Sequence, residues 1–253
     1  MKVTVLGSGT SFGVPVLGCS CPVCRSNNPK DRRRRSAVQI ETDSTRILID
    51  CGPDIREQLL PLPFTPIDAV LITHIHYDHV GGVDDLRPFC MENSMDIYAN
   101  QATADALRCT MPYCFPEQHY PGAPLLALHT VESGHHFMVG DIDILPIEVL
   151  HGQLPILGFR FGNFAYITDM KTISDSNMQL LEGVETLVVN ALRFDKPHAT
   201  HQLVADAIDF SRKVGAGKTY FTHLTHDIGF HEEANRRLPE GFEFAYDGLE
   251  INV

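Results

Sequence analysis

The chain has 253 residues, an ordinary hydrophobic content of 43% and a formal net charge of −12. That length fits one sizeable domain, residues 1–253, and the acidity argues against a nucleic-acid binder, since only one basic run would attract a phosphate backbone. There is no apolar run of membrane-spanning length and no signal-peptide cleavage region, while seven cysteines, three of them clustered, suit a reducing compartment and metal binding; a cytoplasmic protein is expected.

Lys2 to Leu6 alternates as a strand does. Gly7-Ser8-Gly9-Thr10-Ser11-Phe12-Gly13 follows and superficially fits a dinucleotide loop. Val14-Pro15 stands where a helix would have to start, so no helix dipole is offered to a phosphate, and a glycine-rich turn lining a site fits better. Cys19-Ser20-Cys21-Pro22-Val23-Cys24 puts three thiolates in one tight loop, a good claw for a structural zinc, though it lacks a fourth ligand nearby. Three buried free thiols would also satisfy that pattern. Lys30-Asp31-Arg32-Arg33-Arg34-Arg35 is the one basic run. It reads as a solvated loop or as an anion contact, with Arg34 and Arg35 the candidates because they lie nearest the next strand.

Ala37 to Glu41 and Thr45 to Ile49 read as a hairpin that ends in Asp50-Cys51-Gly52. Asp50 has two readings: acceptor from a metal-bound imidazole, or cap of a helix starting near Pro53. Ile55 to Leu60 is that helix, stopped by Pro61 and Pro63.

The densest chemistry is Thr73-His74-Ile75-His76-Tyr77-Asp78-His79, after the apolar strand Ala69 to Ile72 and before Gly81-Gly82, where the backbone can turn sharply. Three imidazoles and a carboxylate within six residues are donors suited to zinc, manganese or iron. His74 and His76 project the same way along an extended backbone. Asp78 and His79, past the bend, can address a second ion.

Farther on, Met95 to Ala99 reads as a strand and Ala102 to Cys109 as a helix. Segment 88–125 is expected to overhang the site and to help select substrate. His129, His135 and His136 fall in a turn-rich stretch. A strand from Asp141 to Leu150 runs into His151-Gly152, and strands Leu157 to Phe161 and Phe164 to Ile167 lead to Thr168-Asp169. A helix over 174–181 and a strand over 186–189 precede Pro197-His198-Ala199-Thr200-His201. Thr200 is a reasonable N-cap for the helix over 203–214, which places His201 in its first turn. A histidine there could donate a proton or carry no chemistry; His198 is the rival. Lys218 to Thr222 is a strand followed by His223, and Phe242 to Val253 closes the chain with a strand pair.

The stretch from Thr73 to His79 resembles the HxHxDH signature of the metallo-β-lactamase superfamily. The opening Gly7 to Pro15, the cysteine cluster and His223-Leu224-Thr225-His226 look like its PhnP-type branch. The resemblance implies an α/β fold, an αββα four-layer sandwich of two mixed β-sheets packed face to face with helices outside. It supplies three further ligands at strand ends: His151, the bridging acid Asp169 and His223. One divalent cation would sit on His74, His76 and His151, the other on Asp78, His79 and His223, with manganese or zinc as the metal. His226 would complete the structural zinc site of Cys19, Cys21 and Cys24. His201 matches the proton donor of PhnP-type enzymes, and Asp78 is counted with it among catalytic residues. The implied reaction is hydrolysis of a small phosphodiester, a cyclic ribose phosphate, by a metal-bridging hydroxide. Alternatives are a tRNA 3′-end endonuclease, disfavoured by low basic charge and the lack of an inserted arm, and a metal-retaining binding protein without turnover. The expected partner is a small-molecule substrate, with no membrane, nucleic acid disfavoured and a homodimer left open.

Overall fold

Most strands in this chain are apolar on both faces, so each sheet needs a layer on either side. In the computed structural model, which describes residues 1–91 and 93–253, that demand is met by two sheets and flanking helices. The strands are β1 (Lys2–Gly7), β2 (Ala37–Glu41), β3 (Arg46–Ile49), β4 (Ala69–Leu71), β5 (Met95–Ala99), β6 (Leu126–Thr130), β7 (Phe137–Val139), β8 (Ile142–His151), β9 (Leu154–Phe161), β10 (Phe164–Ile167), β11 (Thr186–Asn190), β12 (Lys218–Thr222), β13 (Phe242–Phe244) and β14 (Glu250–Asn252). The helices are α1 (Ile55–Leu59), α2 (Tyr77–Val80), α3 (Gln101–Thr110), α4 (Asp175–Gln179), α5 (Val204–Val214) and α6 (His231–Asn235).

Two seven-stranded sheets form, in the orders β14-β1-β2-β3-β4-β5-β6 and β13-β12-β11-β10-β9-β8-β7. Each is mixed. β3 to β6 run parallel in the first and β10 to β13 in the second. The other pairings are antiparallel.

Alternation assigns the faces. Ile47 and Ile49 of β3 point into the layer between the sheets, where Phe159, Phe164 and Tyr166 meet them. Leu48 between them points outward, into a cluster with Ile55 of α1 and Leu107 of α3. In β11, Val188 faces inward while Leu187 and Val189 face Val204, Ala207 and Phe210 of α5. Each such fully buried side chain contributes about 1.5–3 kcal/mol. The αββα sandwich is thus the observed fold.

One expectation about the periphery changes. The last two strands do not pair with each other: β13 adds to β12 and β14 to β1, so the C-terminus closes one edge of each sheet. Within segment 88–125, Leu107, Cys114 and Phe115 pack into the outer cluster of the first sheet.

What this topology positions is a set of chain ends. β3 runs into Asp50, β4 leads to Thr73-His74, β8 ends in His151, β10 leads to Asp169, and β12 into His223. Carboxyl ends of parallel strands are where open sheets gather ligands.

Candidate metal centre

From β4 the chain leaves the sheet at His74, and His76 caps α2 in an extended conformation. Asp78 and His79 lie on α2 itself, a single helical turn, and both are buried. The chain does turn at Gly81 and Gly82 after α2, though both keep negative φ. Their value is proximity. A Cβ on Gly82 would stand 2.1 Å from the Gly52 carbonyl oxygen, and one on Gly52 would stand 2.0 Å from that of Asp78. Only glycines let the loop after β3 lie directly against the histidine motif.

That contact settles the role of Asp50. It is fully buried and accepts from the Thr73 N–H at 2.8 Å and from His79 Nδ1 at 2.6 Å. The Thr73 hydroxyl also donates to Asp50 at 3.0 Å, so it accepts from His74 Nδ1, 3.0 Å away. One carboxylate thus sets the tautomer of two imidazoles, leaving the lone pairs on their Nε2 atoms. The helix-cap role falls away: Asp54 stands at the N-cap position of α1 and pairs with Arg35. His151 is fixed likewise. Its Nδ1 donates to the Asp169 carbonyl at 2.7 Å, which can only accept.

The free nitrogens converge. His79 Nε2 lies 3.3 Å from carboxylate oxygens of both Asp78 and Asp169. His223 Nε2 lies 3.1 Å from Asp169 and 3.7 Å from Asp78. His74 Nε2 is 2.9 Å from His76 Nδ1, and the His76 and His151 rings are 5.2 Å apart. Ligand atoms within 4.8 Å of one another form the groups His74–His79–Asp169, Asp78–His79–His223 and His151–Asp169–His201. Of the expected ligands, His74, Asp78, His79, His151, Asp169 and His223 fall in these groups; His76 falls in none and reaches them through His74, and His201 joins them at 3.0 Å from Asp169.

The donor set fits divalent cations. Among the described residues, His79 Nε2 and both nitrogens of His223 are buried without a hydrogen-bond partner, a costly state unless something else occupies those lone pairs. Burial opposes the charge on Asp169, yet His223 and His79 beside it hold the carboxyl well below its usual range. Burial likewise opposes ionisation of Asp78, and the same two histidines outweigh it. Burial and the neighbouring His79 drive His74 well below the ordinary imidazole value. Ionised carboxylates beside imidazoles are the oxygen and nitrogen donors that zinc and manganese take. Backbone strain collects here as well: Asp50, Asp169 and His223 have φ of 66°, 57° and 57°. Left-handed conformations in non-glycine residues cost about 1 kcal/mol or more each and cluster at functional sites.

A second cluster lies three residues along from His223. His226 Nδ1 is 3.4, 3.3 and 3.2 Å from the sulfurs of Cys19, Cys21 and Cys24. Metal–ligand bonds of about 2.3 and 2.0 Å at tetrahedral angles give an edge of about 3.5 Å, so the four donors are already spaced for a closed zinc site. The backbone N–H of Cys24, donating to the Cys21 sulfur, leads the influences that draw that thiol down to about 6.

His201 is buried, but not in a helix. The helix starts at Val204 with Leu203 as its N-cap, and the Asp206 carboxylate takes the Leu203 N–H at 3.1 Å. Thr200 is therefore no N-cap, and His201 belongs to the preceding loop. Its Nδ1 faces His198 Nδ1 at 3.0 Å. Burial pushes the His201 imidazole down to about 4 despite the Asp169 carboxylate. In the basic run, Arg35 is tied to Asp54 at 2.7 Å and to the Ser11 carbonyl, while Arg34 is exposed. Arg33, unremarked in the sequence, is the buried member, bound to Ser8, Ala245 and His231. Thr73 is also a site residue that carries no local signal; only its contacts with Asp50 and His74 reveal it.

Residues 45–224 match the family described as Beta-lactamase superfamily domain, and the chain belongs to that superfamily. A crystal structure described as a new diphosphatase from the PhnP family is 40% identical, with a TM-score of 0.91, over 99% of this chain and 96% of that one. Within the superfamily this chain is therefore a PhnP-family member. An octanoyltransferase of Porphyromonas gingivalis is 43% identical over 254 residues, which cover all of this chain but 52% of that protein, so the chain spans about half its length. Zinc-bound PqqB from Methylobacterium extorquens, 19% identical with a TM-score of 0.81 over the whole of both chains, shares the fold.

Proposed function

We propose that this chain is a dinuclear metal-dependent phosphodiesterase acting on a small phosphodiester, a cyclic ribose phosphate in the first instance. One observation carries the reading: partnerless imidazole nitrogens of His79 and His223, buried, converge with two ionised carboxylates. His74, His76 and His151 would hold one cation, Asp78, His79 and His223 the other, and Asp169 would contribute to both. Manganese or zinc there supplies Lewis acidity, which activates water and offsets charge on a phosphoryl group. Cys19, Cys21, Cys24 and His226 would hold a structural zinc, with no position open for chemistry.

The protein's own groups do the rest. Asp50 and Thr73 aim the His74 and His79 lone pairs inward. Asp169 stands between the two sets: its carboxylate lies 3.3 Å from His79 and 3.1 Å from His223, and its ligand atoms group with His74 and with His151 as well. His201 stands at the edge of this cluster; with its imidazole pushed down to about 4 it is neutral at rest, and it would take up a proton released by the attacking water and give one to the departing alkoxide. Acid help of that kind matters for a sugar oxygen, which leaves poorly unaided. The net charge of −12 favours a small ligand over a polynucleotide.

A second reading rests on the PhnP-family relative described as a diphosphatase: the same site would cleave a diphosphate linkage, whose leaving phosphate needs little proton transfer. The test is to count metal ions per chain and measure turnover of bis-p-nitrophenyl phosphate, a ribose cyclic phosphate, a nucleoside diphosphate ester, a β-lactam and a thioester. Hydrolysis of the diesters alone supports the first reading, and of the diphosphate ester alone the second. Full metal loading with no turnover of any of them would leave a metal-retaining binding protein.

A further inference from the structure

The loop that carries His201 leaves the second sheet after Ala191 and returns at α5. Its two ends are stapled to each other: Leu192 N–H donates to the Gln202 carbonyl at 2.9 Å and Val204 N–H to the Arg193 carbonyl at 3.0 Å. Residues 194–201, eight in all, lie within both staples and form a compact loop of the kind that often carries function. The His201 ring is itself held at Nε2, 3.0 Å from Asp169 Oδ1, and three further ties join the rest of the loop's tip to the ligand-bearing segments. The Thr200 carbonyl lies 3.1 Å from His151 Nδ1, but that nitrogen's stronger partner is the Asp169 carbonyl at 2.7 Å. The Thr200 methyl packs over Gly152, where an added Cβ would stand 2.9 Å away. The third tie is Lys171, whose ammonium donates to the His201 carbonyl at 3.0 Å.

Lys171 is held more firmly than the loop it touches. Its backbone N–H bonds the Leu150 carbonyl at 2.7 Å, one residue before His151. The next residue, Thr172, forms a bridge with Leu150. On the other side, Met170 is clamped at both backbone groups by the buried amide of Asn190, at 2.8 and 3.0 Å. Lys171 thus projects from a segment tied to β8 and β11, two residues past Asp169, and reaches the one backbone carbonyl that reports where the His201 ring stands. A charged donor on a partly buried carbonyl makes a stronger bond than a neutral one.

We propose that Lys171 is a positioning residue: it registers the His201 loop against the Asp169 and His151 strand ends and so sets the distance between His201 and the reacting centre. This rests on His201 being the proton donor of the proposed hydrolysis. Methionine keeps the length of the lysine stem and removes the ammonium, so Lys171→Met tests the tether, and Lys171→Arg restores a charged donor.

The decisive comparison is kcat on a ribose cyclic phosphate against kcat on bis-p-nitrophenyl phosphate, with metal content and amide hydrogen exchange measured on the same preparations. K171M should lose about tenfold or more in kcat on the sugar diester, a share of the roughly 100- to 10,000-fold that positioned acids contribute. Its loss on the aryl diester should stay within about twofold, KM and metal content should hold, and exchange should quicken over residues 193–203 only. K171R should recover most of the lost rate. Equal losses on both diesters, lost metal, or unchanged exchange in K171M would overturn the assignment. Wild-type enzyme inactive on both diesters would instead overturn the phosphodiesterase reading, and the exchange result alone would then decide whether Lys171 anchors the loop.

Discussion

Replacing Asp50 by asparagine tests the metal centre through its support and leaves every proposed ligand in place. The substitution is nearly isosteric, so it opens no cavity at this fully buried position. Asparagine also tolerates the left-handed backbone here, φ 66°, so no new strain arises. What changes is hydrogen-bond capacity: one acceptor oxygen and an NH2 group replace two acceptor oxygens. With the oxygen kept on the Thr73 N–H, 2.8 Å away, the NH2 faces His79 Nδ1, formerly the donor at 2.6 Å. His79 can then bond only by moving its hydrogen to Nε2, the atom 3.3 Å from Asp78 and Asp169. That lone pair is lost to a cation. Losing such a supporting partner lowers metal affinity about 10- to 100-fold, equivalent to about 1.4–2.7 kcal/mol. Zinc titration against a chromophoric chelator at neutral pH reads the affinity, and thermal unfolding of the metal-free variant checks that it folds. A folded D50N that binds as many ions as wild type, equally tightly, would refute the argument that Asp50 governs the tautomers.

Three further outcomes are expected. His201→Ala should cut the rate on a ribose cyclic phosphate by roughly 100-fold or more and spare aryl diesters, whose leaving groups need no proton; equal losses would remove its role as acid. Cys21→Ser should lower bound metal by one ion per chain and reduce the unfolding temperature, since closed zinc sites contribute folding energy directly; a wild-type protein that never holds more than two ions would show that the thiolate site does not bind. His231, buried beside Arg33 and Lys30, has its imidazole pushed down to about 4, chiefly by burial. The unfolded chain therefore takes up a proton below about pH 6.5 that the folded chain refuses, so stability present above that pH is lost as pH falls towards 4, by up to about 3 kcal/mol from this group. His231→Gln should flatten that part of the stability profile in urea melts; an unchanged slope between pH 6.5 and 4 would dismiss the assignment.

Legibility in the sequence tracked how local each signal was. His74, His76, Asp78 and His79 are readable because four donors sit within six residues. His151, Asp169 and His223 are readable only as strand-end residues in an expected order; alone, none would have stood out. The placement of His201 in a helix failed because Thr200 offers a cap in sequence, while the folded chain spends the capping bond between Leu203 and Asp206 three residues later. Gly81 answers to Tyr77 within the motif, but Gly82 is explained by Gly52, thirty residues upstream, through a contact no window around the motif contains. The two C-terminal strands read as a pair because neighbours usually pair, yet each found a sheet edge formed elsewhere.

The amino-acid order by itself determined the chemistry: which donors exist, which strands are apolar on both faces, and which family motif they compose. These depend on residue type and short spacing, where side-chain periodicity and local bonding act. The tertiary structure alone decided how each donor is held. Asp50 became the hinge of two tautomers, Arg33 the buried arginine, and Lys171 a tether, because hydrogen bonds across 20 to 200 residues pair groups by proximity after the sheets have packed. No local propensity encodes such pairings; they appear only once burial has removed water as the competing partner.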